Sequence, residues 1–210
     1  MKQKVLIYDF DGVICDSVGL KTDAFVELYS AEDEKIQKSV REYHLANGGI
    51  SRFEKIKYFE TVLLGKVYSE EENIRLAQKF SYLVKEKVIT SPFIPGVKEF
   101  LEKYSTHTLQ YICTGTPDFE IKEILERKNI SRYFNGVFGA PRSKIEIISE
   151  ILNITNTVPN ECLYFGDSIT DYQAAVFYKM PFIGIANEHC EFPIGTYVIK
   201  DFKDFYYIFY

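Results

Sequence analysis

The stretch VLIYDFDGV, residues 5–13, runs four apolar or aromatic residues straight into Asp9 and Asp11 and then into Gly12. A short apolar run of this kind reads as a buried strand, and buried strands belong to parallel sheets covered on both faces. In an open parallel sheet, ligands bind outside the carboxyl ends of the strands. Residues i and i+2 of an extended segment point the same way, so both carboxylates can face one ligand. This feature therefore constrains the sheet type and the place where chemistry is to be sought.

Further apolar runs rich in branched and aromatic residues occur at 109–113, 162–165, 182–185 and 197–199, with helical patterns between them. Strand–helix alternation predicts an α/β chain, a Rossmann-like three-layer core with a mostly parallel sheet, because parallel neighbours need crossover connections. The first two runs stand about a hundred residues apart, and that gap is helical throughout. Helices are expected near 17–30 and 32–46. SRFEKIKYFETVLLG adds a third, with Ser51 and Glu54 spaced as a capping box, Phe53, Ile56, Phe59 and Leu63 on one face, and Gly65 as the stop. A fourth starts at a second box, Ser69 and Glu72, and carries the stripe Ile74, Ala77, Phe80, Val84 and Val88. TSPFIPGV, residues 90–97, is the expected hinge back to the core. The predicted organisation is a core of residues 1–16 and 91–210 with an inserted helical unit, 17–90. The aromatic tail DFKDFYYIFY is expected to be a packed terminal helix.

Composition removes several classes of function. A formal net charge of −5 offers no basic field for nucleic acid or an anionic membrane surface. No run of about 18 apolar residues is present, and the N-terminus is too weakly apolar for a signal-peptide core. The expected location is the cytoplasm. Cys15, Cys113, Cys162 and Cys190 have neither disulfide nor metal-ligand spacing with the three histidines, so they are expected as reduced, mostly buried thiols, and the histidines as structural or exposed.

Each of the first three long strands runs out into polar residues. After β-type run 5–8 come Asp9, Asp11 and Gly12, after 109–113 Thr114, Gly115 and Thr116, and after 162–165 Gly166, Asp167, Ser168 and Asp171. Between the last two, a capping box of Ser143 and Glu146 starts a helix with Lys144 in its first turn, an unfavourable place for a cation unless an anion lies nearby. Thr116 before Pro117 reads as an N-cap followed by an N1 proline, without chemistry. Carboxylates converging on one sheet edge repel unless a divalent cation joins them, and hard oxygen ligands favour Mg²⁺. A hydroxyl, a lysine and helix N-termini beside them are suited to a phosphoryl group.

These residues resemble the haloacid dehalogenase superfamily of aspartyl-phosphate-forming phosphatases. DFDGVICDS is similar to its first motif, YICTGT to its second, Lys144 to its third and GDSITD to its fourth, in order along the chain. Val13 stands where Thr is common, and no Pro follows the lysine of the third motif. The helical insertion resembles the cap of the phosphoglycolate phosphatase and beta-phosphoglucomutase subgroup. The resemblance implies Asp9 as nucleophile and Asp11 as proton shuttle, with Thr114, the Gly115 N–H and Lys144 on the phosphoryl oxygens. It implies Mg²⁺ held by Asp9, the Asp11 backbone carbonyl and Asp167, with Asp171 in support. Gly12, Gly115 and Arg52 are the implied substrate-binding residues, Arg52 through the loop NGGISRF. Arg142 is a weaker candidate to back up Lys144.

The expected activity is Mg²⁺-dependent hydrolysis of a small phosphomonoester, phosphoglycolate or a sugar phosphate, by a monomer or homodimer. Intramolecular transfer of the phosphoglucomutase type uses the same aspartate and stands as the alternative. A receiver-like signalling domain fits poorly, since its phosphorylated Asp lies on a later strand and it has no cap. The charge state of Asp11 stays open, because burial raises its pKa while a cation and Lys144 lower it.

Overall fold

Val5–Tyr8 forms strand β1, and its side chains alternate between two apolar faces without any reaching solvent. Leu6 and Tyr8 join one core cluster, while Val5 and Ile7 join the other. The computed structural model describes residues 3–209. The other strands are β2 (Leu109–Pro117), β3 (Gly136–Ala140), β4 (Cys162–Gly166), β5 (Phe182–Ile185) and β6 (Val198–Ile199). All pair in parallel, in the order β3-β2-β1-β4-β5-β6. The chain thus builds outward from β1 through β2 to β3, then returns to the other flank of β1 for β4. Such a reversal opens a crevice at the carboxyl end of the central strand.

β3 has no counterpart among the predicted runs. Its sequence, GVFGA, holds two glycines and begins half-buried at the sheet edge, so it lacks a branched apolar run. The predicted run 197–199 appears as the two-residue β6.

The segment between β1 and β2 is helical, as expected: α1 (Val18–Leu28), α2 (Glu34–Ala46), α3 (Arg52–Tyr58) and α4 (Glu70–Thr90), followed by α5 (Val97–Tyr104). The side chains of Ser51 and Ser69 accept from the backbone N–H of Glu54 and Glu72, each at 3.3 Å. α3 runs on into a π-helical turn, Phe59–Leu63, before Gly65. On α4 the buried stripe is Asn73, Leu76, Ala77, Phe80, Val84 and Val88, and Ile74 is exposed. The inner face is centred one position away from the predicted one, so Asn73, which donates to the Phe53 carbonyl at 2.9 Å, takes the place of Ile74. Phe25 stacks on Phe80 at 4.0 Å and meets Phe59 edge-on at 5.7 Å, which gives the insertion an aromatic centre.

Both joints of the insertion run side by side. Asp16 N–H donates to the Pro92 carbonyl and Ile94 N–H to the Ile14 carbonyl, each at 3.0 Å. The core helices are α6 (Asp118–Arg127), α7 (Lys144–Thr155), α8 (Ile169–Phe177) and α9 (Phe202–Phe209). Pro117 is the N-cap of α6 and Asp118 its first residue, one position later than predicted, because β2 continues through Pro117. The tail is the expected helix, α9, with Phe202 and Phe205 each 4.9 Å from Phe100; Tyr210 lies outside the described residues. All four cysteines are free and all but the half-exposed Cys190 are buried. No helix among the described residues is long and apolar enough to cross a membrane.

Candidate active site

Asp9 continues β1 by one hydrogen bond, its N–H donating to the Phe165 carbonyl at 2.9 Å, so its carboxylate emerges at the sheet's carboxyl edge while only 3% exposed. One oxygen accepts from the Phe10 N–H at 2.6 Å and the other from Lys144 Nζ at 2.7 Å. Lys144 is the first residue of α7, fixed there by the reciprocal Ser143–Glu146 capping box. Its ammonium also donates to Asp171, so two carboxylates offset the unfavourable helix dipole. Asp171, on the first turn of α8, accepts from Tyr164 Oη at 2.6 Å and from both the N–H and hydroxyl of Ser168. Asp167 accepts from Asn187 Nδ2 at 2.8 Å.

Asp9, Asp167 and Asp171 each place an oxygen within 4.8 Å of the others, all buried. Burial is the main reason Asp9 is pushed up to about 6, with Lys144 opposing and Asp171 and Asp11 adding repulsion. Asp167 is displaced well upward by burial and then by the charges of Asp9 and Asp171. Lys144, although burial works against its charge, is held above the usual lysine range by Asp171 and Asp9. A buried, crowded set of hard oxygen donors with one lysine for three acids fits a divalent cation of the Mg²⁺ type. Asp9 and Asp167 are its more open members. Asp171 already receives four donors and is better placed to orient Lys144 than to ligate.

The Asp11 carboxylate turns to a different set of partners. It accepts from Ser17 Oγ at 2.6 Å, from Lys21 Nζ, and from Thr116 Oγ1 at 3.3 Å, while Lys21 also reaches Thr116 Oγ1 at 2.7 Å. Burial pushes Asp11 up, but Lys21 and the hydrogen bonds of Lys21 and Ser17 outweigh it and hold the carboxyl below its ordinary range. The sign that sequence left open is therefore negative, through a lysine that sequence reading did not single out. Thr116, given no chemistry from sequence, is part of this cluster.

Asp9 and Asp11 open onto one cavity of about 340 Å³, which Thr114, Gly115, Asp167 and Ser168 line from the core and Lys21, His44, Gly49, Arg52 and Lys55 from the insertion. The pairing register of β2 with β3 shifts between Cys113 and Pro117, which frees the Thr114–Gly115 backbone from the regular pleat. Two glycines are dictated by close approach. Gly12 has φ +76°, and a Cβ there would overlap the Asp167 carboxylate; Gly49 has φ +77°, and a Cβ there would overlap Thr170 and Lys144. The loop of the insertion is thus laid directly on the core, with Thr170 Oγ1 donating to the Gly48 carbonyl at 2.8 Å.

Arg52 reaches the cavity wall but is already committed. Its guanidinium grips Glu120 of α6 through two bonds, at 2.8 and 2.5 Å, with both side chains buried, and lies 4.8 Å over the Phe80 ring. Arg142 pairs with Asp118 and Glu150, and no hydrogen bond links it to Lys144. Sequence reading missed Lys21, Glu120, Asn187, Tyr164 and the buried pair Lys55 and His44. Of these, Tyr164 alone carried a usable signal, a hydroxyl on a central buried strand that must find a partner.

The sequence pattern of the haloacid dehalogenase-like hydrolases matches residues 6–185, and the chain belongs to this family. Among solved structures, a beta-phosphoglucomutase from Clostridium difficile is 21% identical with a TM-score of 0.75, covering 98% of this chain and 95% of its own. A Haemophilus somnus protein described as a predicted phosphoglycolate phosphatase is 18% identical with a TM-score of 0.75, over 100% of this chain and 99% of its own. A Bacillus subtilis hydrolase of the same family, bound to magnesium, is 17% identical with a TM-score of 0.74, over 99% of each chain. At these identities the likeness is one of fold.

Proposed function

We propose that this protein hydrolyses a phosphomonoester of a small metabolite, phosphoglycolate or a sugar phosphate, through an aspartyl-phosphate on Asp9, with Mg²⁺ as cofactor. The observation that carries the reading is the setting of Asp9: a buried carboxylate at the end of the central strand, held by Lys144 beside Asp167 and Asp171, open to a cavity sized for a small ligand. Residues 1–16 and 91–210 serve as the catalytic core and 17–90 as its cap. The free thiols suit a cytoplasmic protein, acting as a monomer or homodimer on a small-molecule substrate.

An Asp9 oxygen attacks phosphorus while the bond from phosphorus to the leaving alcohol oxygen breaks. Water then attacks the same phosphorus, releasing inorganic phosphate and restoring Asp9. Asp9, Asp167 and the Asp11 backbone carbonyl would hold Mg²⁺, which when bound supplies positive charge against the transferring oxygens. Thr114, the Gly115 N–H and Lys144 bind those oxygens where charge develops. Asp11, held ionised by Lys21, is ready to take a proton from water in the second step. In the first step the approaching phosphoryl charge raises its proton affinity, so that Asp11 takes up a proton from solvent or from the monoanionic substrate and passes it to the leaving oxygen as the bond to phosphorus breaks. Gly12, having no Cβ, lets the loop after β1 lie against the Asp167 carboxylate beside the substrate, and Arg52 shapes the pocket from its seat on Glu120.

The test is Asp9→Asn in the presence of Mg²⁺ against a panel of phosphorylated metabolites. Turnover is expected to fall by at least about 10³-fold, and mass spectrometry of trapped wild-type protein to find the phosphoryl adduct on Asp9. An Asp9→Asn protein that still turns over, or an adduct elsewhere, removes the proposal. Phosphate release measured beside isomer formation from a hexose 1-phosphate separates hydrolysis from mutase-type transfer.

A further inference from the structure

Three basic side chains of the lysine and arginine type line the cavity, and two of them are neutralised. Lys21 is paired with Asp11, and Arg52 with Glu120. Lys55, only 2% exposed, has no carboxylate partner among the described residues. Its ammonium meets His44 Nδ1 at 2.9 Å and the His44 carbonyl at 3.5 Å, with the Phe25 ring 5.8 Å away. Those bonds use two of its three donors. His44 is itself buried, and accepting at Nδ1 leaves its ring proton on Nε2, so the pair offers further donation and no negative charge.

A buried ammonium without a counter-charge is costly to keep. Burial, and next the charge of Lys21, push Lys55 down to about 7; burial and Lys55 push His44 well below its ordinary range. Asp11 and Asp167 act on Lys55 from the core side, but both are engaged with partners of their own. An anion entering the cavity would take the remaining donor and supply the missing charge. The phosphoryl group cannot be that anion, since its place is at Asp9, Thr114 and Lys144.

We infer that Lys55, positioned by His44, forms a second anion subsite, so that the preferred substrate is a short phosphomonoester whose alcohol half carries a further anionic group. This rests on the phosphatase reading above and narrows it, separating acidic phosphometabolites from phosphates of neutral sugars. The cavity volume of about 340 Å³ keeps the two anionic groups a few bonds apart. One available donor on one lysine suits a carboxylate, and a second phosphate shares the same chemistry.

Three probes on one two-carbon backbone test it: 2-phosphoglycolate, 2-hydroxyethyl phosphate and ethylene glycol bisphosphate. Wild-type kcat/KM is expected to favour the anionic esters over the hydroxyl analogue by roughly 10- to 100-fold, and the better of the two identifies carboxylate or phosphate as the natural group. In Lys55→Met that ratio is expected to fall towards one, while Lys55→Arg keeps part of it. Inhibition of wild-type 4-nitrophenyl phosphate hydrolysis gives a reading that does not depend on the folding of any variant, with glycolate expected to compete and ethylene glycol to be inert. Equal kcat/KM for all three esters, or a ratio untouched in folded Lys55→Met, overturns the subsite alone. Hydrolysis of no phosphomonoester overturns both it and the phosphatase reading.

Discussion

Lys144 at the sheet edge and Lys55 in the helical insertion are both buried, 8% and 2% exposed, yet they are driven in opposite directions. Desolvation works against the charge of each. Lys144 stands between Asp9 and Asp171 and is held above the usual lysine range, whereas Lys55 faces a histidine and another lysine and is held far below it. The difference teaches that burial does not decide the state of a lysine here; the elements that converge on it do. Strand ends bring carboxylates together at one edge, while the helices of the insertion bring cations and neutral donors. The cavity is therefore acidic on its core wall and basic on the wall the insertion supplies, the polarity that the proposed phosphatase with a second anion subsite would need.

The largest expected effect comes from breaking the Lys144 side. Lys144→Met leaves Asp9 and Asp171 as uncompensated buried carboxylates, and removal of one partner from such a cluster costs about 3–5 kcal/mol. Chemical denaturation is expected to show that loss, and phosphatase assays a fall of about 10²-fold or more, since the same ammonium is proposed to meet the transferring oxygens. If Lys144→Met matched wild type in both, the two lysines would be equivalent and the contrast would fail.

A smaller loss is expected where the two walls are joined. Arg52 and Ser81 of the insertion converge on Glu120 of the core, and the only ion pair Arg52 makes among the described residues is with that carboxylate. Glu120→Gln keeps the shape and removes the charge, which should cost about 2–4 kcal/mol by leaving a buried guanidinium unpaired. Denaturant unfolding checks the cost. Limited proteolysis should find the joints near residues 14–16 and 92–94 cut faster, because the insertion would lie less firmly on the core.

The contrast between the walls also explains what the sequence displays. Asp9, Asp11, Asp167 and Lys144 were legible because each lies within three residues of the end of a buried strand or inside a capping box, local patterns that survive in one dimension. The mostly parallel sheet expected from the same alternation is parallel at every strand pair among the described residues. Lys21, Lys55 and His44 sit on amphipathic helices, where an inward-facing cation is indistinguishable from a solvated one until the helix is docked. The partner of Arg52 lies 68 positions away, so its engagement with Glu120 could not be read from the loop that carries it. β3 and the displaced stripe of α4 belong with these cases, since tertiary packing and not local pattern decides them.

The smallest effect, and the one of opposite sign, concerns Lys55. Its folded pKa of about 7 lies below the value near 10.4 of an exposed lysine, so between those limits the unfolded chain binds more protons. Stability contributed at this position is therefore greatest at high pH and declines as pH falls from about 10 to 7; below 7 both states are protonated and the cost of the buried charge is present in full. Lys55→Met removes that cost together with the bond to His44, and should stabilise the protein by about 2 kcal/mol at pH 6 while the difference shrinks towards pH 10. Urea unfolding of both proteins across that range checks it. A variant destabilised equally at every pH would mean that Lys55 has a compensating partner in the folded state, and the asymmetry between the two lysines would then be one of packing and not of charge.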